Sequence, residues 1–326
     1  MNRRFFELQI ASLLVAFSGH ESWAQSAYPS KPVKIVVPYA AGGGPDVITR
    51  KITPRLGEIL GQPVVVENIV GAGGILAAQS VARAAPDGYT LLLGASTHVV
   101  QKAMQPSVKF DPLKDFVPIT RNTVGPQLLV VAANAPWKTV QELVAALRKD
   151  PAKLNYASGG VGSGAHLVAA AMLLGTTTQA VHVPYKGSVE IVPSILSGAT
   201  QFAFPIASTA LGPVQQGTVR ALATSGGNRL PQLPQVPTLK EAFSKDELAL
   251  DSWGGIWAPA GTPAAAVDVL FQAFHKLYSD PAVRTDHEAV ATFVSLSQSP
   301  AEFRQFMEQE TAKYDRLVKA IGLTTN

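Results

Sequence analysis

The sequence predicts an α/β fold in which mostly parallel sheets are flanked by helices. Two observations carry that prediction: runs of β-branched residues alternate with helix-period segments along almost the whole chain, and glycine-rich loops join two of the strands to the helices that follow them.

The first unit reads VKIVVPYAAGGGPDVITRKI. Val33, Ile35, Val36 and Val37 are β-branched and read as a buried strand, Gly42, Gly43 and Gly44 free the backbone, and Pro45 and Asp46 open a helix. Proline suits the first helical turn because its missing N–H costs nothing there, and aspartate complements the positive helix end. Pro63–Glu67 reads as a strand, Gly74–Ala84 as a helix and Thr90–Gly94 as a strand. Gln127–Ala132 is a long apolar strand, Thr139–Lys149 an amphipathic helix and Leu154–Ala157 a strand. Ser163 caps a helix to Leu174, followed by a strand at Val181–Tyr185 and a helix at Val189–Leu196. Strands at Gln201–Pro205 and Val219–Thr224 follow. The last third holds helices at Pro263–Tyr278 and Pro300–Lys319 with a strand at Thr292–Leu296. Arg121–Gly125 and Ser225–Pro237 lack periodicity and read as crossings between lobes.

Residues 1–24 have the form of a secretory signal peptide: basic Arg3 and Arg4, a short apolar stretch from Leu8 to Phe17, and small Ser22 and Ala24 before a cut near Ala24. The mature chain, from about Gln25, is long enough for two domains. Cysteine is absent, which excludes disulfides, thiolate metal sites and a cysteine nucleophile and suits a bacterial periplasm. Charged residues make up 15% of the chain and the net charge of +4 has no basic run, so no nucleic-acid groove is expected.

A glycine loop at a helix N-terminus points several N–H groups at one spot and attracts an anion. Tyr39–Asp46 is one such loop. LNYASGGVGSGAHLVAA, Leu154–Ala170, repeats the punctuation far along the chain, so the two loops are expected on different lobes, facing each other as a clamp. Both fall at carboxyl ends of strands, where open α/β sheets bind ligands. Lys186, between a strand and a helix, is a candidate to face the anion.

Catalytic patterns fail. The glycines do not fit Gly-x-Gly-x-x-Gly or a P-loop, and Gly160–Gly164 places glycine where a hydrolase elbow needs serine. The six histidines, His20, His98, His166, His182, His275 and His287, form no ligand-spaced set, so no metal and no cofactor are expected. The aromatics around Asp251–Trp257 read as filling a core between lobes.

The chain resembles the extracytoplasmic solute receptors of tripartite tricarboxylate transporters, the Bug family. The resemblance covers the whole mature chain, beginning at Tyr28-Pro29-Ser30-Lys31-Pro32 and running through Val36-Val37-Pro38-Tyr39, Gly61–Asn68, Gly71-Ala72-Gly73-Gly74 and Pro86–Leu91. It continues in Asp111–Phe116, Leu154–Ser158, His182–Gly187, Leu233–Thr238 and Ala258–Pro263. It implies a two-lobed, type II-like Venus-flytrap periplasmic binding protein, with lobe 1 formed by residues 25–124 and 225–326 and lobe 2 by residues 125–224. It also implies a monomer that holds a small carboxylate through backbone N–H groups and passes it to a membrane transporter. A ligand sensor for a membrane kinase and an exported enzyme are the alternatives. Carried over by position, the ligand would be lined by Tyr39, Ala41, Gly42, Gly43, Gly44 and Asp46, by Ser96, Thr97 and His98, by Ser158, Gly159, Gly160, Gly162, Ser163 and His166, and by Tyr185, Lys186 and Phe204. Pro45 replaces a usual hydroxyl residue, Ile69 and Val70 replace Arg-Pro, and Val161, Phe204 and Pro205 stand where polar groups are common. Those departures imply a monocarboxylate with an apolar or aromatic body.

Overall fold

The computed structural model describes residues 28–322, so the expected signal peptide lies outside the described residues. In chain order the strands are β1 (Val33–Val37), β2 (Val64–Asn68), β3 (Thr90–Ala95), β4 (Phe116–Gly125), β5 (Leu128–Ala132), β6 (Asn155–Ser158), β7 (Val181–Pro184), β8 (Phe202–Ala203), β9 (Val219–Thr224), β10 (Ser252–Pro259) and β11 (Phe293–Val294). The helices are α1 (Gly44–Leu60), α2 (Ile75–Ala82), α3 (Thr97–Met104), α4 (Val140–Lys149), α5 (Gly164–Thr176), α6 (Ile191–Leu196), α7 (Ala207–Gln215), α8 (Leu239–Phe243), α9 (Ala264–Tyr278), α10 (Pro281–Glu288) and α11 (Pro300–Ile321).

The strands form two sheets, in the orders β11-β4-β10-β3-β1-β2 and β7-β6-β8-β5-β9, one per lobe. Both sheets are mixed. The segments β2-β1-β3 and β7-β6-β8 are parallel, while β4, β10 and β11 in one sheet and β5 and β9 in the other pair antiparallel. The chain passes from the first sheet to the second between β4 and β5 and returns between β9 and β10.

Local chemistry explains the elements. In α4, Val140, Leu143, Val144 and Leu147 repeat at helical spacing and are buried, and Thr139 Oγ1 accepts the Glu142 N–H as the N-cap. In α1, Pro54 cannot donate to the Arg50 carbonyl one turn back, and the Thr53 hydroxyl donates there instead at 3.0 Å. One face of the first sheet packs Val33, Ile35, Leu91 and Ile256 against Ile52 and Leu56 of α1 and Leu270 and Phe274 of α9. Its other face packs Val36, Leu92 and Trp257 against α2, α3 and α11. The second sheet buries Leu128–Val131 against α4, α5 and α6. Burying one such aliphatic side chain stabilises the fold by about 1.5–3 kcal/mol.

Two of the expected crossings are corrected. Arg121–Gly125 is the second half of β4, and its polar side chains find partners inside the lobe: Asn122 Nδ2 donates to the Tyr278 hydroxyl at 2.9 Å, and Arg121 Nε donates to the Ser295 carbonyl at 3.1 Å. The stretch after Ser225 was expected in lobe 1. Leu230, Leu233, Val236, Leu239, Leu248 and Leu250 instead pack in the second lobe's core, because their apolar side chains are buried in one cluster with Leu128–Val131.

Candidate functional site

Residues of both lobes enclose two adjoining chambers. The first lies at the N-terminus of α5. One lobe supplies Pro38, Tyr39, Gly71, Gly73, Gly74 and Thr97, and the other supplies Gln127, Gly159, Ser163, Gly164, Ala165, Lys186, Ser188 and Phe204. The second chamber lies along α1, against Pro45, Ile48, Thr49 and Ile52, with Leu93, Asn122, Tyr278 and His287. Tyr39, Ala95, Ile206 and Ser252 face both chambers and form the waist between them.

The two helix ends differ electrostatically. Ser163 caps α5 by accepting the His166 N–H, which leaves the Gly164 and Ala165 N–H groups without intrahelical partners, and the first turn carries no acidic residue. Lys186 is the one charged side chain lining this chamber; its backbone N–H donates to Glu190, while its ammonium has no partner among the described residues. Ser188 Oγ and Gln127 Oε1 are buried here with no hydrogen-bond partner among the described residues. The end of α1 is already satisfied. Asp46 turns its buried carboxylate back to accept from the Gly42 N–H (2.9 Å), Arg50 Nε (3.0 Å) and Asn68 Nδ2 (2.8 Å). Burial alone would raise the Asp46 pKa; the bonds from Asn68, Gly42 and Arg50 outweigh it and hold the carboxyl below its usual range.

Beneath the second glycine loop sits a ring stack. His166 Nδ1 accepts the Gly162 N–H at 3.2 Å, which places the proton of the neutral ring on Nε2. Ser158 Oγ lies 2.6 Å from His182 Nε2 and accepts the Gly160 N–H at 3.1 Å. The Tyr156 ring stacks near both imidazoles, its centroid 4.9 Å from that of His182 and 6.2 Å from that of His166.

Of the residues expected at the ligand, Tyr39, Thr97, Gly159, Ser163, Lys186 and Phe204 line the first chamber. The others are elsewhere. Gly42, Gly43 and Gly44 face a separate groove with Val47 and Val189, and Ala41 is exposed and lines neither chamber. Asp46 is turned into its own loop, as described. Ser96 is buried and hydrogen-bonds Tyr314. His98 is 2% exposed, boxed by Phe110, Phe116 and Trp257, because the first turn of α3 directs it into the core. Ser158, Gly160, Gly162 and His166 are the support under the loop, where their hydrogen bonds are spent on one another, and Tyr185 packs against the second core. Of the three apolar departures, Phe204 alone lines a chamber; Val161 projects outward and the Pro205 carbonyl is taken by the Leu128 N–H. Ser188, expected on the cleft wall beside Lys186, also lines the first chamber, whereas Gly71, Gly73, Gly74, Gln127, Ile206 and Ser252 line it without having been expected there. The Gly71–Gly74 run, lying between a strand and a helix like the two loops chosen, carried the signal for its glycines.

The lobes touch through glycines. A Cβ on Gly73, whose φ is +63°, would lie 2.9 Å from the Val161 carbonyl oxygen across the cleft. A Cβ on Gly44 would lie 2.7 Å from Ser208 Oγ of α7. Among the described residues no group of three His, Asp or Glu could hold a metal ion.

Residues 48–323 match the family model described as the tripartite tricarboxylate transporter family receptor. The chain belongs to this receptor family. It is 34% identical to a UPF0065 protein of Cupriavidus necator over 99% of both chains. Among solved structures it is similar to MatC of Rhodopseudomonas palustris with bound malate, at 30% identity and a TM-score of 0.84, covering 89% of this chain and 100% of that one. The R. palustris protein Rpa4515 with adipate is 28% identical with a TM-score of 0.85, covering 90% of this chain and 98% of that one. The chain has the two-lobed fold of periplasmic binding proteins.

Proposed function

We propose that this receptor captures a small carboxylate between its lobes in the periplasm and delivers it to a membrane transporter of the tripartite tricarboxylate type. The observation that carries the reading is the first chamber. The Gly164 and Ala165 N–H groups, the Lys186 ammonium and the Ser188 hydroxyl, none of them partnered among the described residues, border one space that no acidic side chain lines. Together they suit one carboxylate, whose two oxygens accept from the helix end while Lys186 balances its charge. Closure brings Tyr39 and the Gly71–Gly74 loop of the first lobe over it. The relatives solved with malate and adipate support a carboxylate as the ligand class.

Calorimetric titration of ligand-stripped protein with a panel of mono-, di- and tricarboxylates tests this. At least one acid should bind, and Lys186→Met should weaken it about tenfold or more, since a hydrogen bond to a charged group is worth about 1.5–3 kcal/mol. No binding across the panel, or binding indifferent to Lys186→Met, would overturn the proposal.

A further inference from the structure

We propose that the chamber along α1 receives the apolar body of the ligand, which makes the receptor selective for acids with a single charged end. The inference rests on the carboxylate reading of the first chamber. The two chambers are of similar size, about 80 and about 70 Å³. One water needs at least ~10–15 Å³ on this scale, so the α1 chamber has room for a group of several atoms.

The chemistry of the α1 chamber is the reverse of its neighbour's. No Asp, Glu, Lys or Arg lines it. Of its polar side chains, Thr49 Oγ1 donates to the Pro45 carbonyl at 2.6 Å and Asn122 Nδ2 to the Tyr278 hydroxyl at 2.9 Å, and the lining hydroxyls of Thr123, Ser208, Ser252 and Thr292 carry no charge. His287 Nδ1 lies 2.7 Å from the Val283 carbonyl oxygen, and burial keeps this imidazole neutral. The helix end beside it offers no anion site, because Pro45 has no N–H and the Asp46 carboxylate already occupies the positive end of α1. A second carboxylate here would be desolvated with no positive charge to pair it. Ile48, Ile52 and Leu93 offer hydrocarbon contact instead. The Tyr39 hydroxyl, without a hydrogen-bond partner among the described residues, stands at the waist between the polar and apolar halves.

The test is calorimetry on ligand-stripped protein with straight-chain acids from acetate to octanoate and with the α,ω-diacids of equal length. Affinity should rise about fourfold per methylene until the chamber is filled. Each diacid should bind at least ~100-fold more weakly than the monoacid of the same length. Leu93→Trp, with its thermal melt checked, should bind the shortest acids as the parent does and lose the gain from added methylenes. Should Leu93→Trp not fold, Ile48→Ala should shift the optimum to longer acids. Binding that is flat with chain length, or a diacid as tight as its monoacid, would overturn this inference while leaving the carboxylate site intact. Failure of every acid to bind would overturn both.

Discussion

The imidazole of His166 lies flat against that of His182, ring centroids 3.9 Å apart and planes 9° from parallel. The pair holds the glycine loop from below, since His166 Nδ1 takes the Gly162 N–H and His182 meets Ser158. Burial drives both pKa values down, to about 3 for His166, with His182 adding to the shift, and to about 4 for His182. Between those values and the ordinary 6.5, the unfolded chain binds more protons than the folded one. Stability from the pair is therefore complete above about pH 6.5 and is lost as the pH falls through 4 toward 3. Thermal melts should show a falling midpoint over that interval, and His182→Gln should flatten the slope. A slope unchanged by the substitution would show that the pair does not titrate as described.

His98 should respond differently. Both of its ring nitrogens are buried without partners among the described residues, and desolvation lowers its pKa to about 3. His98→Phe removes two unsatisfied polar atoms from an aromatic box and should raise the unfolding free energy by about 1 kcal/mol in urea. Ligand affinity should stay unchanged, because the residue faces the core. A loss of affinity with stability intact would return His98 to the cleft.

Gly44→Ala should act as a wedge. Its φ lies outside the left-handed region, so alanine is tolerated by the backbone at the start of α1, yet the new Cβ would meet Ser208 Oγ at 2.7 Å and the Ser208 carbonyl carbon at 3.1 Å. Folding should be unharmed and ligand affinity should fall about tenfold, equivalent to ~1.4 kcal/mol lost from closure. Adding Ser208→Gly should recover part of it. X-ray scattering with ligand should show a larger radius for the single variant than for the parent.

Asp46→Ala should cost about 2–3 kcal/mol of stability in denaturant melts, because a buried carboxylate loses three donors and leaves the Gly42 N–H unpaired. The Asp46 contribution is full above the ordinary carboxylate pKa and disappears as the pH falls through the lowered folded value. The difference between parent and variant should therefore shrink in acid. A difference constant with pH would place the effect in packing alone.

Much of the fold was legible because local chemistry and tertiary structure agree. The valines of β1, the Thr139 cap and the Ser163 cap all say locally what the packed molecule does. β4 was not legible, since Thr120, Arg121, Asn122 and Thr123 look like a loop until Tyr278, Ser295 and Ser297 supply their partners. In β10, Gly254 and Gly255 continue the strand, and the space a Cβ would need is taken by the side chains of Asn122 and Thr123 at Gly254 and by the ring of Phe303 at Gly255. At the site the sequence marked the glycine loops and Lys186. Which helix end was already neutralised depended on where Asp46 points, and a side chain's direction is not written in the spacing.

Asp46 has a consequence for the order of events. If the acid is held as proposed, its charge is met wholly by the second lobe, and the first lobe arrives with no electrostatic pull of its own. Loading would then precede closure and depend on ionic strength, while the decision to close would rest on how well a hydrocarbon chain fits along α1. Charge would recruit the cargo, and length would measure it.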